Sequence, residues 1–80
     1  MSAIDKANQG LIALKEAILE HLAQHPEGIG NSDIARDLGL ESDFGGRQRN
    51  YLTWSVLGLL SHEKRVVVEK RGRNVFYKLP

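Results

Sequence analysis

Apolar side chains recur at helical spacing in the first third of the chain. Steps of three, four and four residues separate Leu11, Leu14, Ile18 and Leu22. Because a helix completes one turn in about 3.6 residues, these positions share a face and predict a helix from about residue 10. Pro26 should end this helix, since the residue before a proline avoids helical geometry. Residues 1–9 lack the pattern, and we expect them to form an irregular lead-in to a single domain, residues 10–80.

A second, shorter helix is predicted after a glycine-containing turn at residues 27–30. Its apolar face comprises Ile34, Ala35 and Leu38. Asn31 or Ser32 would be its N-cap, because their short side chains can accept a hydrogen bond from a free backbone N–H group. Gly39 stands where a C-terminal glycine is expected, since glycine readily adopts the left-handed conformation that closes many helices. Residues 40–46 then form a loop.

A third helix is predicted after this loop, and it should be under way by Arg47. Its core-facing positions are Leu52, Val56, Leu59 and Leu60. At about 100° per residue, the opposite face carries Arg47, Asn50, Trp54 and Gly58, with Tyr51 beside them. Gly45 and Gly46 weaken the helical tendency just before Arg47, so the start of this helix stays open.

The composition changes after residue 64, from helix-forming residues to β-branched and aromatic ones. Residues 65–70 and residues 75–79 are two strand-like runs. The segment between them, residues 71–74, has a turn composition and includes Gly72, so the two runs predict a β-hairpin. A lone hairpin is marginal in water, and this one must therefore pack against the helices.

Charge is distributed unevenly along a chain whose formal net charge is only +1. Residues 1–46 contain three basic and eight acidic side chains, a balance of −5. Residues 47–80 contain eight basic and two acidic side chains, a balance of +6. Such asymmetry indicates a nucleic-acid partner, or else two halves of one domain that attract each other. A chain of 80 residues has room for one small core and little for a deep catalytic pocket.

Two parts of the chain resemble a known DNA-binding architecture. The run NSDIARDLGL at residues 31–40 resembles the first helix and turn of a helix-turn-helix. Within residues 56–79, the runs VLGLL, VVV, GR and YKL resemble the end of a recognition helix that continues into a wing. In this order and spacing they are similar to the winged helix-turn-helix family of bacterial and archaeal regulators.

The resemblance implies an α+β fold, with three helices followed by a C-terminal β-hairpin, the wing. It also implies that the protein binds double-stranded DNA and regulates transcription. The turn at residues 39–46 is longer than the three or four residues common in the motif, so the register of the third helix stays open.

Site residues follow from the resemblance and from the chemistry of their side chains. The third helix would contact DNA in the major groove through Arg47, Gln48, Arg49, Asn50, Tyr51 and Trp54. The wing would contact the backbone or the minor groove through Lys70, Arg71, Arg73 and Asn74. Phosphate contacts are expected at Asn31, Ser32 and Gly46. For Trp54, packing against a helix or in a dimer stays open beside contact with DNA.

Other kinds of site find little support in the sequence. The chain has no cysteine, which excludes disulfides and thiolate metal sites. No Ser-His-acid set and no nucleotide-binding glycine loop is evident, so we expect neither an enzyme nor a cofactor. His21 and His25 have the spacing of a chelating pair on the first helix, but no third ligand is evident and no metal site is expected. No signal peptide or membrane-spanning run is apparent, and we expect a soluble cytoplasmic protein without a membrane partner.

An alternative function stays open beside DNA binding. Winged helices can also act as protein-interaction or adaptor modules, because a fold does not determine a function. RNA binding has less support, since few exposed aromatic residues are expected on the sheet. One small unit reads only a few base pairs, so we expect a homodimer or a larger complex.

Overall fold

The computed structural model describes residues 2–42 and 50–80. Its elements are α1 (Ala3–Ala23), α2 (Asn31–Leu38), α3 (Tyr51–His62), β1 (Val67–Arg71) and β2 (Asn74–Lys78). The two strands pair in antiparallel fashion. The fold is therefore α+β, with three helices followed by a C-terminal hairpin, and the predicted fold class is confirmed.

Helix α1 begins at Ala3, well before the predicted start near residue 10. Ser2 is the N-cap, and it exchanges hydrogen bonds with Asp5 in a reciprocal capping box. The expected irregular lead-in is wrong, because this cap sets the first turns of the helix without any apolar contact to the core. The helix ends at Ala23, ahead of Pro26 as predicted.

Helix α2 has Gly30 as its N-cap, so neither Asn31 nor Ser32 has the predicted capping role. Asn31 is the first helical residue, and its side-chain amide donates instead to the backbone of Asn50. At the other end, Gly39 adopts the left-handed conformation with a φ of 68° and closes the helix. The C-terminal glycine is therefore confirmed.

Helix α3 buries Val56 and Leu60 as predicted, but its core face is rotated away from Leu52 and Leu59 toward Thr53 and Leu57. Its buried residues are Thr53, Val56, Leu57 and Leu60. Leu52 and Leu59 were predicted to be core residues, yet they remain 41% and 44% exposed. Residues 56–60 are apolar around most of the helix, so more than one face fits the spacing rule, and packing against α1 and α2 selects the face that contains Leu57.

The hairpin closes through a two-residue turn at Gly72 and Arg73, between the paired residues Arg71 and Asn74. Gly72 has a φ of 62°, the positive value that the first turn position of a type II′ turn requires. Ile29 also pairs with β2 by exchanging two backbone hydrogen bonds with Tyr77. This pairing anchors the hairpin to the segment between α1 and α2.

The core lies where the three helices meet the base of the hairpin. Its buried apolar residues include Ile18, Leu22, Ile34, Val56, Leu57, Leu60, Val66 and Tyr77. Every helix and β2 contributes to this cluster, so the hairpin is held by the same core as the helices. Within residues 2–42 and 50–80, no helix has the length and apolar character needed to cross a membrane.

Candidate nucleic-acid interface

A cleft of about 370 Å³ separates the start of α2 from the start of β2. Asn31, Ser32 and Asp33 line the α2 side, and Asn74, Val75 and Phe76 line the strand side. Three predicted site residues that lie far apart in the sequence are thus brought together: Asn31, Ser32 and Asn74. The cleft adjoins the tip of the wing, because Asn74 directly follows its two-residue turn.

Asn50 joins α2, α3 and the segment before α3, and it is not an exposed base reader. Only 7% of its surface is accessible, so the prediction that it lies on the exposed face is wrong. Its Oδ1 accepts from the Ser42 backbone at 3.1 Å, and its Nδ2 donates to Ser32 Oγ at 3.4 Å. Asn50 has a φ of 60° as the N-cap of α3, so it is not helical and helical spacing does not apply to it. Its amide is used to position the two helices.

The outer face of α3 is neutral over the described residues. Trp54 was predicted to lie on the face opposite the core, and it is 61% exposed there. Gly58 lies open to solvent beside it. Tyr51 is half-buried at the start of the helix. Ser55, which the sequence analysis did not single out, is exposed on the same side and offers a hydroxyl group next to Tyr51 and Trp54. A spacing of four residues from Tyr51 could have indicated it.

Arg71 holds the wing against the rest of the fold. Its guanidinium group donates to the backbone oxygen of Glu27 and to the Glu69 carboxylate, and it lies 4.5 Å from the centre of the Phe76 ring. Gly28, next to Glu27, has a φ of 99°, and a Cβ atom there would come within 3.2 Å of the Phe76 side chain. The close approach of the turn to the hairpin therefore depends on this glycine. Arg71 fixes the direction of the wing.

Lys70 and Arg73 remain at the wing tip as exposed cations. Neither forms an ion pair with any residue that the structure describes, whereas Lys78 lies 2.9 Å from Glu69 and Arg71 lies 3.2 Å from it. The hydrogen bonds from Arg71 and Lys78 lower the pKa of Glu69 to about 2. Glu69, the single acidic group of the hairpin, therefore pairs with Arg71 and Lys78. It does not neutralise the positive charge of Lys70 and Arg73 at the tip.

Among the residues that the structure describes, a single ion pair joins the acidic and basic halves of the chain. In the described ranges, the carboxylates of residues 1–46 pair with His21, His25 and Arg36, all from the same half. The ion pair that joins the halves within the described residues is Lys15 with Glu63, at 2.6 Å. It pairs a basic residue of the acidic half with an acidic residue of the basic half. Arg71 of the basic half also donates to the backbone oxygen of Glu27 in the acidic half, so attraction between the halves stays open beside a nucleic-acid partner.

Four predicted site residues lie outside the described residues. They are Gly46, Arg47, Gln48 and Arg49. Their expected roles in phosphate contact and base reading therefore stay predictions.

Comparisons with known proteins add no relative to this picture. No protein-family model, curated protein or solved structure matches the chain.

Proposed function

We propose that this protein binds double-stranded DNA and acts in the cytoplasm as a regulator of transcription. The observation that carries the proposal is the pair of exposed, unpaired cations at the wing tip, Lys70 and Arg73, among the described residues. They project from a hairpin that Arg71 and the Ile29 pairing hold rigid. A fixed positive loop of this kind gains free energy from phosphate contact, because the contact releases counterions from the DNA.

The wing and the two adjoining helices have separate roles in this proposal. Lys70 and Arg73 contact phosphates, and the free backbone N–H groups at the start of α2 bind a further phosphate beside the cleft. Trp54 and Ser55 on α3 face the major groove of the DNA. The donors that precede α3 in the sequence, Arg47, Gln48 and Arg49, read base edges. Asn50 supports these contacts by holding α2 and α3 together.

The dependence of DNA affinity on salt tests the role of the wing. We expect fluorescence anisotropy with a labelled duplex of about 20 base pairs to show binding that weakens steeply between about 50 and 200 mM KCl. Arg73→Ala should lower the affinity for all sequences and reduce the slope of log affinity against log salt by about 1. Lys6→Ala is the matched control, since it removes an exposed cation near the start of α1 that forms no ion pair with any residue the structure describes. Equal affinities for the two variants, or no binding by the wild type at low salt, would refute the proposal.

Selection of bound duplexes from a random pool tests sequence reading. Wild-type protein should enrich a short motif, and Arg47→Ala should change the preferred bases within it. Arg73→Ala should bind more weakly yet enrich the same motif, because phosphate contacts carry no direct sequence information. A pool that stays random through repeated rounds would leave DNA binding without specificity and would contradict a regulatory role.

A second function is favoured by the apolar character of the α3 surface. Leu52, Trp54 and Leu59 are exposed on this helix, and Ile4 and Ile12 are exposed on α1. Exposed apolar side chains can serve protein contacts, so an interaction or adaptor module without direct DNA binding is the alternative. Sedimentation of the free protein tests for a homodimer. We expect a dimer, and a monomer that stays monomeric on DNA would contradict that expectation.

A further inference from the structure

Three metal-binding side chains meet where the end of α1 packs against α2. His21 lies in the last turn of α1, His25 lies just beyond the C-cap of that helix, and Asp37 lies near the end of α2. Each offers one ligand atom, and the three atoms lie within 4.8 Å of one another. Asp37 is the third ligand that the spacing of the two histidines did not reveal, because only the packing of α2 against α1 brings it there.

The distances are close to those of a coordination shell. His21 Nε2 lies 3.0 Å from Asp37 Oδ2, and the two histidine rings are 4.7 Å apart between centres. Metal–ligand bonds of about 2.1 Å in a tetrahedral site place two ligand atoms roughly 3.4 Å apart. The His21–Asp37 pair therefore needs almost no change. His25 has to move by an ångström or two, which the 31% exposure of its side chain permits.

The surroundings also suit a cation. The C-terminal end of α1 carries the partial negative charge of its free carbonyl groups, which favours positive charge beside His21. Arg36 is the nearby competing cation, but it contacts Asp37 through Oδ1 at 3.3 Å and is held on its other side by Asp33. Asp37 Oδ2 is hydrogen-bonded to His21 Nε2, and a metal ion would replace this hydrogen bond. Glu27 Oε1 lies 3.4 Å from His25 Nδ1. A carboxylate beside a histidine ring can hold the ring in place, as in many histidine metal sites.

We propose that His21, His25 and Asp37 bind one divalent transition-metal ion, such as zinc. Two imidazole nitrogens and one carboxylate oxygen match zinc, whereas calcium and magnesium prefer all-oxygen sites. The bound ion joins the end of α1 to α2, and three protein ligands leave a fourth position for water. None of the three residues lines the cleft between α2 and the wing, so the site is separate from the DNA contacts.

Titration of the tag-free protein with zinc alone tests the site without DNA. Calorimetry should show one ion per chain, with micromolar affinity. At a tenfold excess of zinc over the dissociation constant, Tm should rise by about 6–10 °C, because the ion binds the folded state only. Ring-nitrogen NMR signals should shift for His21 and His25 and stay in place for His62, which lies at the end of α3. Absence of saturable binding at submillimolar zinc would overturn the proposal.

Single substitutions distinguish this site from surface binding of zinc. His25→Gln and Asp37→Asn should each weaken zinc binding by at least about tenfold and, at the same zinc concentration, reduce the rise in Tm to about 3 °C or less. His62→Gln is the matched control and should retain wild-type affinity. Circular dichroism of each variant without zinc shows whether it is folded, and both side chains are about one-third exposed. Wild-type affinity in a folded His25→Gln or Asp37→Asn variant would refute the assignment.

Discussion

Glu69 is the residue through which acid should loosen the wing. Arg71, and after it Lys78, lowers the pKa of its carboxyl group from 4.5 to about 2. A carboxyl group whose pKa is lower in the folded state stabilises the fold above its unfolded pKa, and this contribution disappears as the pH falls toward the folded value. Glu69→Gln should therefore lower stability at pH 7, and its difference from wild type should close between pH 4.5 and about 2.

Urea unfolding of both proteins across this pH range measures the effect. Glu16→Gln is a suitable control, since Glu16 is exposed on α1 and forms no ion pair with any residue in the described ranges. A difference between wild type and Glu69→Gln that persists unchanged at pH 2 would show that the Glu69 ion pairs do not stabilise the hairpin.

Asn50 combines a buried amide with a left-handed backbone, and two substitutions separate these contributions. Asn50→Ala removes hydrogen bonds from Ser42 and to Ser32 and places a Cβ-bearing residue without a polar side chain at a φ of 60°. We expect it to cost about 2–3 kcal/mol of unfolding free energy. Asn50→Gly loses the same hydrogen bonds but tolerates this backbone, and it should cost about 1 kcal/mol less. Asn74→Ala, at an exposed position, is the control for loss of an amide. Equal losses for Ala and Gly at position 50 would show that the backbone carries no strain there.

The same residue shows where reasoning from sequence stops. A helical wheel assigned Asn50 to the exposed side of the third helix, but the wheel holds only for helical residues, and Asn50 is the left-handed cap before the helix. Asp37 is a similar case, because its proximity to His21 depends on the crossing of two helices that lie apart in sequence. By contrast, Gly39 and Gly72 were predictable, since glycine is the residue that most readily takes the positive φ that a helix end or a tight hairpin turn requires.

At the scale of elements, α3 contains a glycine that no packing explains. A Cβ atom on Gly58 would have open space around it, and the backbone is helical there. Gly58→Ala should raise the unfolding free energy by about 0.5–1 kcal/mol, because alanine restricts the unfolded chain and favours a helix. Gly39→Ala is the contrasting variant: its φ of 68° should make the same change destabilising by about 1 kcal/mol.

Thermal or urea unfolding of both glycine variants gives the sign of each change in unfolding free energy. Destabilisation by Gly58→Ala would contradict the finding that a Cβ atom has open space at this position. A stabilised Gly58→Ala protein that binds DNA more weakly would show, in addition, that the bare backbone at Gly58 lies close to the DNA.

The elements differ in how far their sequence pattern determined them. The hairpin was predicted well because runs of β-branched and aromatic residues on both sides of a glycine turn have few alternative structures. The burial of α3 was predicted poorly, since the apolar run at residues 56–60 satisfies several helix faces and only the neighbouring helices choose between them. The start of α1 was missed because the first turns are polar and exposed, and their helix depends on a local cap.

For the whole molecule, the first turns of α1 contribute little to the core. Residues 2–10 are all exposed, and the first fully buried residue along the chain is Ile18. Removal of residues 1–9 should therefore lower the unfolding free energy by no more than about 1–2 kcal/mol, mainly through loss of the Ser2 cap. Ile18→Ala should cost about 2–5 kcal/mol, because it leaves a cavity in the only core that so small a domain can form.

Urea unfolding of the shortened chain and of Ile18→Ala compares these two losses of unfolding free energy. DNA affinity and sedimentation of the shortened chain then test whether residues 1–9 contribute to DNA binding or to a dimer. If DNA binding depends on the wing and α3, the shortened chain should bind duplex DNA with wild-type salt dependence. If the exposed Ile4 surface forms a dimer contact, the same deletion should change the sedimentation coefficient while leaving the fold intact. A large loss of stability on deletion would show instead that the first turns of α1 support the core, and residues 10–80 would then not be a complete folding unit.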